Sequence, residues 1–233
     1  MAFAQTPLLL LPGLLCDREL WRPQVEALAD VAAALIPDLT LDTSIGDMAA
    51  RVLAVAPPVF SLAALSMGGY VAFEIMRRAP ERVLRLALFD TQAELDPPER
   101  IAARRRGMES LKLGRFVGIT SRLLPQLLHP DHVTGPVGKT VSAMAKRVGG
   151  AAFLRQQQAI LDRPDSRPTL ATIRIPTLVA VGEQDAVTPI TDSLEIHRGI
   201  PGSQLHLFSH CGHLPALEKP AETTALLRQW LRP

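Results

Sequence analysis

Short apolar runs alternate along the chain with segments whose apolar residues recur every three or four positions. Runs at residues 8–11, 31–36, 59–65, 83–89, 177–181 and 204–208 have strand length and are bounded by turn-forming residues. Between them, residues 20–29, 45–56, 67–79, 190–199 and 221–231 carry the helical period. In the third of these, Val71, Ile75 and Ala79 share one face with Ala72 and Met76 beside them, Glu74 and Arg78 can pair on the exposed face, and Pro80 stops the helix. Strands this apolar, alternating with helices, predict an α/β protein: a parallel sheet covered on both faces.

Residues 92–172 break the alternation, with helical signals and no convincing strand. Asp96-Pro97-Pro98-Glu99 reads as a helix start, with Asp96 as N-cap, proline at the first helical position and an acid three residues on, so a helix to about Phe116 is expected. Gly135-Pro136, Gly149-Gly150 and Arg163-Pro164 divide the rest into roughly three or four short helices. The expected organisation is a core in two parts, residues 1–91 and 173–233, around a small helical cap at 92–172.

A chain of 233 residues with 47% hydrophobic content suits one globular unit with a substantial core. Its formal charge of +2 is spread among dispersed arginines, so nucleic acid is not an expected partner. Apolar stretches at residues 8–15 and 52–65 are too short for a membrane span or are broken by Pro57-Pro58. No basic residue precedes the first apolar run, which Pro12-Gly13 cuts off, so a signal peptide is not expected. Two cysteines, Cys16 and Cys211, are too few for a disulfide framework, which favours a reducing cytoplasm.

The chemistry concentrates where the third run meets its helix, at Ala64-Leu65-Ser66-Met67-Gly68. A serine on a sharp strand-to-helix turn has a strained backbone and an exposed hydroxyl, and the turn needs small neighbours because strand and helix nearly touch. Gly68 and Gly69 supply two; Ala64 stands where the usual Gly-x-Ser-x-Gly pattern has its first glycine, so one methyl must be fitted. Met67 lies in the first helical turn, where its N–H and the positive helix end face Ser66.

Four stretches together resemble the alpha/beta-hydrolase superfamily over nearly the whole chain: Leu8-Leu9-Leu10-Leu11-Pro12-Gly13-Leu14, Ser66-Met67-Gly68-Gly69, Val181-Gly182-Glu183-Gln184-Asp185, and Cys211-Gly212-His213 with Glu218 and Pro220. The elbow is similar to those of enol-lactonases and cofactor-free perhydrolases. This resemblance implies a serine nucleophile at Ser66, an acid at Asp185 and a base at His213, in the order such enzymes use. It places oxyanion donors on the backbone N–H groups of Leu14 and Met67, although Pro12 stands where many relatives have histidine. Asp90 occupies the superfamily's alternative acid position, but the acid-loop pattern favours Asp185; the Gly-His context favours His213 over His210. Because the chain begins almost directly on the first core strand, six strands are expected, without an opening antiparallel hairpin.

The implied activity is hydrolysis of a small carboxylic ester or lactone through an acyl-enzyme, with no metal and no organic cofactor. Perhydrolysis or acyl transfer could run on the same residues, and a ligand receptor or scaffold is the reading of another class. Candidate pocket residues are Leu15, Trp21, Phe116, Leu124, Leu127 and Phe153, for which packing is the competing account. Arg104-Arg105-Arg106 is expected to be a solvated helix face in preference to an anion site.

Overall fold

The computed structural model describes residues 5–112 and 123–232. Six parallel strands form one sheet in the order β2-β1-β3-β4-β5-β6: β1 Thr6–Leu11, β2 Ala32–Leu35, β3 Phe60–Leu65, β4 Val83–Phe89, β5 Thr177–Gly182 and β6 Gln204–Phe208. Every residue of β3 and of β5 is buried, which is why both read as unbroken apolar runs. One apolar cluster, with Leu9, Leu62 and Leu88, covers one face; a second, with Leu10, Ala63 and Phe89, covers the other.

Helices α1 Arg22–Ala27, α2 Ile45–Val55 and α3 Met67–Arg78 connect the first strands. A short 3-10 turn, Arg18–Leu20, precedes α1, so the helix expected over 20–29 is split, because Pro23 in the first turn of α1 cannot donate into a continuing helix. Ser44 caps α2 by accepting from the Asp47 N–H at 3.0 Å. Glu74 pairs with both Arg78 and Arg77 on the outer face of α3.

Between β4 and β5 the described chain is helical: α4 Pro98–Lys112, α5 Leu124–Leu127, α6 Pro130–Val133, α7 Pro136–Leu161 and α8 Arg167–Leu170. The expected continuation of α4 to Phe116 lies outside the described residues. Within α7, Gly149 has φ +77° and breaks the helical run. Asp96 does something other than the capping expected of it. Buried before α4, its carboxylate accepts from Gln92 Nε2 and Arg163 Nη2 at 3.0 Å and from Arg104 Nε at 2.5 Å. Burial alone would raise the Asp96 carboxyl, but Arg104 and Arg163 outweigh it and hold the group below the usual carboxylate range. Arg104 also donates to Gln157 of α7, so it is turned inward and is not part of a solvated face. After β5 come α9 Ile190–Gly199, β6, α10 Pro215–Glu218 and α11 Pro220–Trp230. No helix among the described residues is long and apolar enough to cross a membrane.

Where β5 ends, the chain touches the loop after β6. A Cβ on Gly182 would collide with the Gly212 carbonyl and meet the Cys211 carbonyl at 2.6 Å, both rigid backbone groups. Gly182→Ala is therefore expected to cost about 3 kcal/mol, whereas Gly135→Ala, with nothing within 4 Å of the new methyl, should stay within about 0.5 kcal/mol of the parent. Urea unfolding of the two variants checks the contrast.

Candidate active site

The sheet order reverses between β1 and β3, so the loops leaving these neighbouring strands diverge and open a crevice at their carboxyl ends. Four non-glycine residues among those described have positive φ: Leu15 (58°), Ser66 (55°), Asp90 (46°) and His210 (52°). Each follows the carboxyl end of a strand, β1, β3, β4 and β6 in turn. Backbone strain of this kind persists only where surrounding contacts over-determine it, and here it surrounds one crevice.

Ser66 joins β3 to α3 with φ 55° and ψ −117°. Its N–H donates to the Phe89 carbonyl at 3.0 Å, and its carbonyl accepts from the Gly69 N–H and from Thr91 Oγ1, both at 2.8 Å. Gly68 is required by contact: a Cβ there would meet the carbonyl oxygens of Leu11 and Pro12 at 2.6 and 2.9 Å. Ala64 is fully buried in the core, where its methyl is accommodated. The Met67 N–H has no partner within α3 because it belongs to the first turn, and Met67, Leu14 and Ser66 line the same cavity. The loop carrying Leu14 is held by the insertion: buried Gln156 accepts from the Leu15 N–H at 3.1 Å and donates to the Leu39 carbonyl at 3.2 Å.

Asp185 and His213 meet at the ends of β5 and β6. His213 Nδ1 and Asp185 Oδ2 are 2.7 Å apart, and both residues are buried. The carboxylate also accepts from the Val187 N–H at 2.8 Å, the Thr188 N–H at 3.1 Å and Thr188 Oγ1 at 2.6 Å. Burial alone would raise the Asp185 carboxyl; His213 and these hydrogen bonds outweigh it and hold the group below the usual range. With Nδ1 committed to Asp185, Nε2 is the ring nitrogen left for the cavity that His213 lines together with Ser66. Glu218 fixes the histidine loop, accepting from the N–H groups of Gly212 and Leu214 at 3.1 and 3.0 Å and from His129 of the insertion at 2.7 Å.

Asp90 lies beside this pair. Its Oδ1 accepts from the Gly182 N–H at 2.9 Å, and the residue is completely buried. Facing atoms of Asp90, Asp185 and His213 lie within 4.8 Å of one another, a spacing that would also suit a metal ion. The Asp185 oxygens and His213 Nδ1 already satisfy each other and Thr188, so the geometry is that of a hydrogen-bonded group. His210, exposed on the same loop, is turned toward His129, their ring centres 5.5 Å apart.

The cavity measures about 470 Å³. Leu15, Leu127 and Phe153 line it, along with Val141 and Ile160 of α7 and the α4 face carrying Arg100, Ala103, Arg104 and Gly107. Two of the expected pocket residues do not. Trp21 is fully buried in the core, its ring edge-on to Phe89 and its Nε1 donating to the Leu11 carbonyl. Leu124 is packed among core residues because α5 turns it inward. Phe116 lies outside the described residues. Sequence reasoning missed Thr188, Gln156 and Arg100, and read Arg104 as part of a solvated face; the Thr188-Pro189 pair three residues after Asp185 was a local signal for the first, and nothing local marked Gln156.

A model of the alpha/beta hydrolase family matches residues 8–226. Pimeloyl-[acyl-carrier protein] methyl ester esterase of Neisseria meningitidis serogroup C is 30% identical over 175 residues, 71% of this chain; across strains of that organism the match spans 55% to 67% of the relative's length. A malate-bound thermophilic esterase from Thermogutta terrifontis superposes with a TM-score of 0.86 at 30% identity, covering 97% of this chain and 89% of its own. The enol-lactonase of Burkholderia xenovorans LB400 gives a TM-score of 0.81 at 23% identity, covering 98% and 92%, and shares the fold. With a family model matched over residues 8–226 and a six-stranded parallel sheet, this chain belongs to the alpha/beta hydrolase family.

Proposed function

We propose that the protein hydrolyses small carboxylic esters or lactones through an acyl-enzyme on Ser66, with Asp185 and His213 completing a triad. One observation carries this reading: a strained serine and a buried histidine, its far nitrogen tied to a carboxylate, open into a single cavity. In the first half-reaction His213 Nε2 takes the proton of Ser66 Oγ as Oγ bonds to the carbonyl carbon; the C–O bond to the leaving group then breaks and the alcohol leaves with that proton. Water repeats the sequence on the acyl-enzyme, releasing the acid and restoring the serine proton. The Leu14 and Met67 N–H groups receive the oxyanion, each worth about 3 kcal/mol in comparable sites. No step calls on a metal or organic cofactor.

Residues 92–172 act as a cap whose α4 and α7 roof the cavity and select the acyl group. The ester-cleaving relatives support hydrolysis over perhydrolysis or acyl transfer. Two free, buried thiols suit a reducing compartment such as the cytoplasm.

Ser66→Ala is expected to lower ester turnover by about six powers of ten, and His213→Ala similarly, because the members of a triad act as a unit. The far-UV spectrum should be retained in both, and a fluorophosphonate should label the parent at one site and Ser66→Ala not at all. Labelling without turnover of any ester or lactone would instead indicate a receptor or scaffold.

Asp185→Asn should cost about four powers of ten in kcat by disturbing the histidine tautomer; steady-state rates on an activated ester measure it, and a loss under tenfold would remove Asp185 from the triad.

Specificity should follow the wall. Leu127→Trp and Phe153→Ala are expected to reorder the rates of acyl esters of increasing chain length by more than they alter the acetate rate, since only longer acyl groups reach these side chains. An unchanged ranking in both variants would place the acyl pocket elsewhere.

A further inference from the structure

We infer that Asp90 is a protonated carboxylic acid that shares its proton with the Asp185 carboxylate and thereby positions and tunes the His213 pair from behind. The inference deepens the hydrolase reading and rests on it.

The two oxygens of Asp90 are treated very differently. Oδ1 accepts from the Gly182 N–H at 2.9 Å. Oδ2 is fully buried and no donor reaches it. An oxygen of Asp90, one of Asp185 and a ring nitrogen of His213 lie within 4.8 Å of one another, with Glu218 and the Cys211 thiol close by. An ionised Asp90 would set two anionic carboxylates side by side in a dry site, with one imidazole to answer both and Glu218 adding a further negative charge. A buried, unpaired charge of this sort is costly, whereas one proton between the two carboxyls removes both the repulsion and the orphaned oxygen, since Oδ2–H becomes a donor and Asp185 its acceptor. Burial foremost, and then the Asp185 charge, push the Asp90 carboxyl well above its usual value, in agreement with the geometry. Asp185 in turn is held low by His213, so the proton resides on Asp90.

The surroundings are built to keep Asp90 in this place. It sits at φ 46°, with its N–H donating to the Ala180 carbonyl at 2.9 Å, so its side chain is aimed across β5 at the acid loop. A donor at Oδ2 draws electron density from Asp185 and so weakens the stabilisation of the His213 imidazolium. Removing that donor should leave Asp185 more fully charged and strengthen its hold on the His213 ring. Stability carries the opposite dependence on pH. The folded state retains a proton that the unfolded chain sheds above the ordinary carboxyl value, so stability due to Asp90 is present below that value and is lost as pH rises toward the raised folded one.

Three proteins test this: the parent, Asp90→Asn, whose amide still donates to Asp185, and Asp90→Ala, which donates nothing. Infrared spectra of the parent at neutral pH should contain a protonated-carboxyl stretch that is missing in Asp90→Asn. The loss of stability with rising pH should be shallower in Asp90→Asn. Asp90→Ala should lose at least ten times more kcat/KM than Asp90→Asn, and its acidic limb of kcat/KM should move to higher pH, a shift that backbone strain at this φ does not produce. The proposal is overturned by the absence of the carboxyl stretch in the parent, by equal losses in both variants with the acidic limb unmoved, or by Asp90→Asn proving as damaging as Asp185→Asn, which would make Asp90 the acid itself. If Asp90→Ala does not fold, the infrared and stability comparisons decide alone. Neither depends on turnover, so a failure of the hydrolase reading, seen as activity surviving in Ser66→Ala, is distinguishable from a failure here.

Discussion

Contact between the start of α3 and the chain leaving β1 is the constraint on which the site depends. Gly68 lies so near the Leu11 and Pro12 carbonyls that no side chain fits, and this contact holds the turn at Ser66 in a region of φ and ψ that serine does not choose. Thr91 and Gly69 then clamp the Ser66 carbonyl from two sides. Lifting the hydroxyl, pointing the helix end at it and bringing Leu14 alongside are consequences of one close approach between backbones.

Two buried carboxylates beside the crevice, Asp185 and Glu218, are each held by several named donors. Asp185 accepts from four donors, and Glu218 gathers backbone N–H groups from the histidine loop and the insertion. Rotation of the His213 ring would have to break its 2.7 Å hydrogen bond to the buried Asp185 carboxylate, so the ring is held in orientation before any ligand arrives.

Most of the fold was legible in the sequence because the central strands, buried on both faces, read as nearly continuous apolar runs, while the edge strand β6 kept only an alternating pattern. The six runs matched the six strands to within two residues at either end. Ser66, Asp185 and His213 stood out because the glycines and acids around them answer local backbone needs. What the sequence concealed were contacts made at long range. Gln156 reads as one of three consecutive glutamines, and only the folded chain brings it to Leu15. Arg104 reads as one of three arginines, yet Asp96 draws it inward, which also explains why Asp96 does not serve as a cap. Trp21, large and apolar near the first loop, reads as pocket lining; its N–H donates instead to the Leu11 carbonyl at the end of β1.

Among the polar links by which the helical segment reaches the crevice are Gln156 to the Leu15 N–H and the Leu127 carbonyl to the His213 N–H at 2.8 Å. These tie it to the loops after β1 and β6 simultaneously, on opposite sides of Ser66. Grafting the corresponding helices of a relative onto this core would therefore exchange more than a specificity element. Unless the transplant carried an acceptor at 156 and a free carbonyl at 127, it would loosen both loops of the recipient scaffold, so recombination between such enzymes should succeed at crossover points that keep these pairs within one parent.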